Sequence, residues 1–238
     1  MTGVVVVTGA ARGLGRAVAA DLIAQGRHVL AADVDAAGLD GLGSPDLVTR
    51  QQVDVADEAS VAHLAAAAAD LGDVVGVVHC AALVGVRRAP SAQISVEEFD
   101  RVMAVNARGT WLIARAALPL LAAARGSLVL FASETAFTGS TGLSHYVASK
   151  GAVVSLVRAF AREAAPLGVR VNGIAPGFTD TEGARVLADP AAYDVSATPL
   201  GRVGTPDDSL GAVRYLIGPD SSFVTGQILH INGGHHVG

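Results

Sequence analysis

The chain has 238 residues, 51% of them hydrophobic, and its 17 Lys and Arg against 22 Asp and Glu give a net charge of −5. This composition is sufficient for one buried core, and it excludes the basic surface that a nucleic acid or an anionic membrane would require of its partner. The single cysteine, Cys80, excludes an intrachain disulfide framework and a cysteine-rich metal site, and it favours a reducing, cytoplasmic location.

Apolar, β-branched runs alternate with helical patterns along the chain. Strands are predicted at Val4–Val7, His28–Ala32, Thr49–Val53, Val74–Val78, Gly126–Phe131, Val169–Ile174 and Gln227–Ile231. Helices are predicted at about 13–25, 57–70, 95–122, 145–165 and 206–217. Several of the strands are apolar at every position, which is typical of strands buried on both faces of a parallel sheet. We therefore expect an α/β fold with a single doubly wound parallel sheet of the Rossmann type, about seven strands, and helices on both faces.

We expect one domain over residues 1–238. Residues 178–200 lack clear periodicity, and we expect them to form a substrate lid. No stretch approaches the ~20 apolar residues of a membrane span, and the N-terminus shows no secretory leader pattern. The low charged fraction of 16% favours an oligomer.

A glycine-rich turn follows the first predicted strand, with Gly9, Gly13 and Gly15 in the order G-x-x-x-G-x-G. Glycines permit a tight turn and let the backbone approach a pyrophosphate closely, and the following helix offers free N–H groups at its N-terminus. The alternative is an ordinary βα turn. The position between a first strand and an amphipathic helix favours a phosphate site.

The second strand ends at Asp33, where a carboxylate would accept hydrogen bonds from the adenosine ribose hydroxyls and repel a 2′-phosphate. Arg12, within the glycine turn, is the counter-argument, since it could hold that phosphate. We give Asp33 more weight, so NAD is favoured over NADP. Asp54, after the third strand, is either a cofactor contact or a helix N-cap.

Tyr146 and Lys150 are four residues apart at the start of a predicted helix and so share a face. A lysine ammonium would lower the pKa of the tyrosine, and the pair could then exchange a proton with a substrate hydroxyl or carbonyl. Ser133 follows the fifth strand, where its hydroxyl could hold the reacting oxygen. Alone, the Tyr–Lys pair would more often be a surface pair.

Taken together, these residues resemble the classical short-chain dehydrogenase/reductase family over essentially the whole chain. The resemblance depends on the following motifs: TGAARGLG (8–15), Asp33, Asp54, Asn106 in VNARGTW, Ser133, YVASK (146–150), VNGIAPGFTDT (171–181) and VTGQILHINGG (224–234). It implies a hydride transfer at a nicotinamide cofactor, which the protein positions while it manages the proton.

The resemblance also implies residue roles. Tyr146 would be the general acid/base, Ser133 would orient the substrate oxygen, and Lys150 would hold the nicotinamide ribose and lower the tyrosine pKa. Asn106 would break the long helix and anchor a proton-relay water. Cofactor contacts would further include Leu14, Val55, Ala81, Ala82, Pro176, Gly177, Thr179 and Thr181.

Candidate substrate-pocket residues are Glu134, His145, Phe178, Val186 and Leu187. Glu134 could bind a substrate hydroxyl or amine, or form a salt bridge, and the two interpretations are equally weighted. A structural role is favoured for His145, and solvation or subunit contacts are favoured for Arg87 and Arg88. His235 and His236 read as a tail at a subunit interface, and no metal site is expected, because further ligands at suitable spacing are missing.

The favoured function is an NAD-dependent oxidoreductase for a secondary alcohol or ketone, acting as a cytoplasmic homotetramer or homodimer. A 3-oxoacyl thioester reductase, a cyclic dihydrodiol dehydrogenase and a non-catalytic cofactor-sensing module remain open.

His79-Cys80-Ala81-Ala82 stands where the family usually has Asn-Asn-Ala-Gly, unless the match is shifted by one residue to Cys-Ala-Ala-Leu. Adjacent strand residues point to opposite faces, so His79 and Cys80 are not expected to form a catalytic pair. We expect Cys80 to be a small filler and His79 to replace one lost hydrogen bond.

Overall fold

The computed structural model describes residues 3–237 and has one seven-stranded sheet, in which every adjacent pair of strands is parallel. The strands are β1 Val4–Thr8, β2 His28–Asp33, β3 Val48–Gln52, β4 Val74–His79, β5 Ser127–Phe131, β6 Arg170–Pro176 and β7 Ile228–Ile231. The predicted strands are all present. Several of them end later than predicted: β1 continues to Thr8, β4 to His79 and β6 to Pro176.

The helices are α1 Gly13–Ala24, α2 Glu58–Asp70, α3 Val96–Met103, α4 Gly109–Ala124, α5 Thr135–Thr138, α6 Ser144–Ala164, α7 Glu182–Arg185 and α8 Leu210–Ile217. The helix predicted at 95–122 is interrupted by a π-helical turn at Ala104–Arg108. The first turn of the helix predicted at 206–217 is a 3-10 turn, Pro206–Ser209, opened by a proline at its first position. The predicted lid contains α7 and a 3-10 turn at Pro190–Ala192.

Alternate residues of the strands point to two separate apolar cores. On β1, Val4 and Val6 pack in the core that α2, α4 and α6 cover, and Val5 and Val7 pack in the core that α1 and α8 cover. A sheet that is covered on both faces needs apolar residues at every strand position, which explains the uninterrupted runs in the sequence. The predicted doubly wound α/β fold is confirmed.

The strand order β3-β2-β1-β4-β5-β6-β7 changes direction between β1 and β4. In an open α/β sheet, the crevice outside the carboxyl ends of the strands at this switch point is where ligands bind. The glycine turn follows β1 there, and the segment after His79 follows β4. The fold therefore places the sequence-predicted site residues at one edge of the sheet.

Candidate active site

The glycine turn after β1 has the close backbone packing that a dinucleotide site requires. Gly9 has a φ of +71°, and a Cβ at this position would lie 2.6 Å from the nitrogen of Ala81. A Cβ on Gly15 would lie 2.0 Å from the carbonyl oxygen of Gly9. Helix α1 begins at Gly13, and the Arg12 side chain does not cap it. The turn therefore leaves N–H groups and space for a pyrophosphate, and the residues present fit a dinucleotide cofactor.

Asp33, at the end of β2, is bound to the same turn. Its Oδ2 accepts a hydrogen bond from the N–H of Ala11 at 3.0 Å, and its Oδ1 accepts one from the N–H of Asp35 at 3.0 Å. A carboxylate has about four acceptor positions, so these two bonds orient Asp33 and leave capacity for ribose hydroxyls. Arg12, the competing basic residue, is exposed.

Three of the predicted catalytic side chains meet at a cavity of about 160 Å³ outside the ends of β4, β5 and β6. Ser133, Tyr146 and Lys150 line it and are at most 8% exposed. Ser133 is near enough to Tyr146 to act on its acidity, and its Oγ accepts a hydrogen bond from Thr135 Oγ1 at 3.0 Å. The Ser133 hydroxyl is therefore fixed beside the tyrosine at a surface where a substrate oxygen can bind.

Burial governs the acidity of both titratable groups at this cavity. It raises the pKa of Tyr146 to about 12, and the hydrogen bond with Ser133 acts in the opposite direction. It lowers the pKa of Lys150 to about 8. The expected lowering of the tyrosine pKa by Lys150 is therefore not found: the ammonium lies 5.9 Å from the ring centroid, and desolvation dominates.

Lys150 and Asn106 are held by separate backbone contacts. The Lys150 ammonium donates to the carbonyl of Phe131 at 2.7 Å. In the π-helical turn, the Asn106 side chain accepts from the N–H of Leu83 at 2.8 Å and donates to the Leu83 carbonyl and to Ser149 Oγ, each at 3.1 Å. Asn106 lies in the π-helical turn that interrupts the predicted helix, and its amide fixes the segment that follows β4.

The remaining predicted residues fall into two groups. Leu14, Ala82, Pro176, Gly177, Phe178, Thr179, Thr181 and Leu187 line the cavity together with Glu134 and Cys80. His145 is buried and Val186 is exposed, and neither lines that cavity. A structural histidine would be expected to have satisfied hydrogen bonds, but the Nδ1 of His145 has no partner among residues 3–237.

The two acidic residues before α2 have different roles. Asp57 caps this helix, since its Oδ1 accepts from the N–H of Ser60 at 2.8 Å. Asp54 is exposed and accepts from the N–H of Ala56, and Val55 beside it is buried. The interpretation of Asp54 as the helix N-cap was therefore wrong, and its side chain stays at the surface.

His79 is the centre of a buried chain of hydrogen bonds. Its Nδ1 lies 2.7 Å from Thr8 Oγ1, and its Nε2 lies 3.1 Å from Thr110 Oγ1. The Thr110 hydroxyl donates its proton to the carbonyl of Asn106 at 2.6 Å, so toward His79 it can only accept. The proton of the His79 ring is therefore on Nε2, and Nδ1 accepts a hydrogen bond from the Thr8 hydroxyl. Both ring nitrogens are used by a neutral imidazole, and burial lowers its pKa to about 3.

Sequence reasoning identified His79 but missed its partners. Thr8 and Thr110 were overlooked because threonine is common in strands and helices, and only the register that pairs Thr8 with His79 brings them together. Cys80 lines the cavity, and desolvation raises the pKa of its thiol, which removes the thiolate that a nucleophile needs. The two residues form no catalytic pair.

Glu134 has a partner that the sequence did not predict. Its Oε2 lies 3.1 Å from His235 Nδ1, and its side chain is only 7% exposed. Nearby, His236 stacks on Phe137, and the rings of Phe178 and Tyr193 stack at a centroid distance of 4.0 Å. The C-terminal segment thus lines, together with Glu134, a second cavity of about 390 Å³ beside the first.

Among residues 3–237, no helix is long and apolar enough to cross a bilayer. Within the same range, no three or more His, Cys, Asp or Glu side chains are grouped so that they could hold a metal ion.

The chain is similar to known oxidoreductases over nearly its full length. A family model described as enoyl-(acyl carrier protein) reductase matches residues 9–236. The (3R)-3-hydroxyacyl-CoA dehydrogenase of Rattus norvegicus is 34% identical over 245 residues, which cover 96% of this chain and 94% of the relative.

Solved structures agree with this match. A short-chain dehydrogenase/reductase described as glucose/ribitol dehydrogenase from Brucella melitensis superposes with a TM-score of 0.92 at 33% identity, covering 99% of this chain and 97% of its own. The 3-ketoacyl-(acyl-carrier-protein) reductase from the same organism, complexed with NADH, has a TM-score of 0.90 at 29% identity and covers 99% and 98%. The sequence match, the sheet order and the shared cavity of Ser133, Tyr146 and Lys150 lead to one conclusion: the chain belongs to the short-chain dehydrogenase/reductase family.

Proposed function

We propose that the protein is an NAD-dependent oxidoreductase that interconverts a secondary alcohol and a ketone, with Tyr146 as the general acid/base. The observation that carries the proposal is the shared cavity that Tyr146, Ser133 and the buried Lys150 line together. A nicotinamide cofactor, when bound, supplies or accepts the hydride. The protein then has to orient the substrate and transfer one proton.

Ser133 and Tyr146 perform the proton step in this proposal. The Ser133 hydroxyl, already held by Thr135, orients the reacting oxygen toward the tyrosine. In the reductive direction, Tyr146 donates its phenolic proton to the carbonyl oxygen, and its high pKa ensures that the proton is present. In the oxidative direction, the phenolate must form against the desolvation that raises the pKa of Tyr146, and the ammonium of Lys150, 5.9 Å from the ring centroid, is the nearby charge that offsets part of this cost during the reaction.

Lys150 is suited to this role because its charge and its donors are both available. With a pKa of about 8, it is mostly protonated at neutral pH. One of its three N–H donors is directed to the carbonyl of Phe131, which leaves two for a ribose or a relay water. Asn106 holds Leu83 through two hydrogen bonds. We therefore propose that it positions the segment after β4 at the site and takes no proton itself.

The Tyr146→Phe variant tests the mechanism. It removes only the hydroxyl, so kcat should fall by about 10² to 10⁴-fold while NADH is still bound. Turnover is measured by NADH absorbance with a panel of secondary alcohols and ketones, and binding by NADH fluorescence. Retained turnover in this variant would exclude Tyr146 as the general acid/base.

Cofactor choice is a separate test. If Asp33 accepts the ribose hydroxyls, NAD should have a higher kcat/KM than NADP, and Asp33→Ser should reduce this preference at least tenfold, since a hydrogen bond to a charged group contributes ~1.5–3 kcal/mol. Asp35→Asn is the matched control, because Asp35 caps the N–H of Gly38 at an exposed turn. A wild-type preference for NADP would show that Arg12 outweighs Asp33.

A second candidate is a 3-oxoacyl thioester reductase. The matched family model and both the rat relative and the NADH-bound Brucella structure are named for acyl substrates. Acetoacetyl thioesters assayed beside simple ketones distinguish the two, since a thioester enzyme should have a far higher kcat/KM for the former. A non-catalytic cofactor-sensing module has less support, because Ser133, Tyr146 and Lys150 are all present and meet at one cavity.

A homotetramer or homodimer remains a prediction. Phe99 and Trp111, on α3 and α4, are each 40% exposed, and such side chains are more often covered in an assembly. The mass of the particle in solution, from light scattering, decides between monomer, dimer and tetramer.

A further inference from the structure

Glu134 is a buried carboxylate at the wall of the catalytic cavity. It follows Ser133 directly, and it lines both the 160 Å³ cavity and a neighbouring one of about 390 Å³ that extends toward the C-terminal segment. The residue as a whole is 5% exposed. Burial of an ionised group is costly unless other groups satisfy it, so its contacts show how it is stabilised.

The protein satisfies this carboxylate only in part. Oε2 accepts a hydrogen bond from His235 Nδ1 at 3.1 Å, and within residues 3–237 no Lys or Arg lies within ion-pair distance. A carboxylate has about four acceptor positions, so most remain for a ligand or water in the adjoining cavities. A Cβ on Gly177 would lie 3.3 Å from Oε2, so the absence of a side chain there keeps this carboxylate open on the turn after β6.

The remaining acceptor positions of Glu134 suit a hydrogen-bond donor. A carboxylate repels anions. Of the two basic residues of the same cavity, Lys150 donates to the carbonyl of Phe131 at 2.7 Å, and Arg88 is exposed and donates to the carbonyl of Thr141 at 2.8 Å. In the proposed function Ser133 and Tyr146 hold the reacting oxygen, and Glu134 lines the same cavity of about 160 Å³. A donor that reaches Glu134 within so small a cavity lies close to the reacting carbon of the substrate.

We propose that Glu134 accepts a hydrogen bond from a second hydroxyl group of the substrate, on the carbon beside the reacting carbinol. The preferred substrates are therefore vicinal diols and the α-hydroxyketones that they form. This inference rests on the proposed alcohol/ketone chemistry and names its substrate class. A site that hydrogen-bonds a hydroxyl discriminates strongly against analogues that lack it, because its buried acceptor is then left without a donor.

His235 positions this carboxylate from the C-terminal segment. A carboxylate can only accept, so Nδ1 of His235 carries the proton of their hydrogen bond. The segment is closed into a turn, since Asn232 Oδ1 accepts from the N–H of Gly234 at 3.1 Å and its Nδ2 donates to the carbonyl of His236 at 2.9 Å. The carboxylate is thus fixed from one side, with its remaining acceptor positions available.

The test compares substrates that differ by one hydroxyl. Wild-type kcat/KM is measured for butane-2,3-diol, as separate stereoisomers, and for butan-2-ol, with saturating NAD. We expect the best diol isomer to exceed butan-2-ol at least tenfold. Lactate, which places a carboxylate at the same position, should be the poorest of the three.

Variants assign the preference to Glu134. Glu134→Met keeps an unbranched side chain of similar length without an acceptor, and it should reduce the diol-to-alcohol ratio at least tenfold, toward one. Glu134→Gln retains a neutral acceptor and should give an intermediate ratio. Glu163→Gln makes the corresponding change at an exposed position on α6 and should keep the wild-type ratio.

The outcomes separate this inference from the proposed function. Equal kcat/KM for diol and alcohol in the wild type, or a ratio unchanged in Glu134→Met, contradicts the inference alone. A selectivity for lactate also overturns it. Loss of thermal stability in Glu134→Met without a change in ratio would show that the carboxylate only anchors His235. No turnover with any alcohol or ketone would contradict the proposed function and the inference together.

Discussion

Two buried polar groups lie at the carboxyl edge of the sheet, and they differ in how completely the protein satisfies them. His79, the last residue of β4, forms hydrogen bonds through both ring nitrogens, with Thr8 and Thr110. Glu134, just beyond the end of β5, accepts one hydrogen bond from His235 and lines two cavities. Both are nearly inaccessible to solvent, so burial alone does not distinguish a structural group from a binding group.

The difference lies in the remaining hydrogen-bonding capacity. A neutral imidazole has one donor and one acceptor, and both are used inside the core. A carboxylate has capacity to spare, and it lies where a substrate can enter. We therefore expect changes at His79 to act mainly on the free energy of unfolding, and changes at Glu134 to act mainly on substrate selection.

The largest effect on stability is expected for His79→Leu. The change leaves the buried Thr8 hydroxyl without its acceptor and the buried Thr110 hydroxyl without the donor it had in His79, at ~1–3 kcal/mol per group. The free energy of unfolding should fall by about 2–5 kcal/mol, measured by urea denaturation with two independent probes. Turnover should also fall, since the Thr110 hydroxyl, which donates to the carbonyl of Asn106, loses the hydrogen bond from His79 that orients it.

The matched control for that variant is Thr49→Ala on β3, which removes the contact of His28 Nε2 with Thr49 Oγ1 at a partly exposed position. Water can replace this bond, so the loss should be less than about 1 kcal/mol. Equal losses in the two variants would contradict the view that the His79 chain is a buried, fully satisfied network.

A smaller effect is expected from pH. Burial lowers the pKa of His79 to about 3, so between roughly pH 6.5 and pH 3 the unfolded chain binds a proton that the folded chain does not. The stability that this neutral histidine contributes is complete above pH 6.5 and is lost as pH falls through this window, by up to ~1.4 kcal/mol per pH unit.

The measurement is urea unfolding at pH values from 7 down to 5, for the wild type and for His79→Asn, which introduces the asparagine usual in this family. Burial also lowers the pKa of His145 and His230, and they contribute with the same sign. The wild-type curve should therefore be steeper than the variant curve, and the difference between them isolates His79. Parallel curves would contradict a neutral, buried His79.

The sequence was sufficient for the sheet, the two layers of helices and the position of Tyr146 and Lys150. Strands buried on both faces leave a direct signal, because every residue is apolar, and the glycine turn of Gly9 to Gly15 has a fixed spacing. The ends of the strands were less predictable. Strand β4 continues to His79 because this polar residue finds a buried hydrogen-bond partner, Thr8, on the neighbouring strand.

The sequence did not predict the polar contacts that cross the fold. Thr110 and His79 are brought together by the packing of α4 on β4, and Glu134 meets His235 only after the C-terminal segment folds back. The pKa of Tyr146 was also misjudged, because local spacing showed a nearby lysine and did not show the desolvation that outweighs it. These properties depend on the tertiary packing, which residue spacing alone does not give.

The smallest stability effect is expected for Glu134→Met, the variant that also tests substrate selection. The variant no longer has to bury a charge, so the free-energy cost of its desolvation disappears. His235, which loses its acceptor, has 31% of its side chain exposed, so water can accept its hydrogen bond instead. The free energy of unfolding should therefore change by less than about 1 kcal/mol, in contrast to His79→Leu. A loss of several kcal/mol would place Glu134 with His79, as a structural group whose bond to the C-terminal segment stabilises the fold.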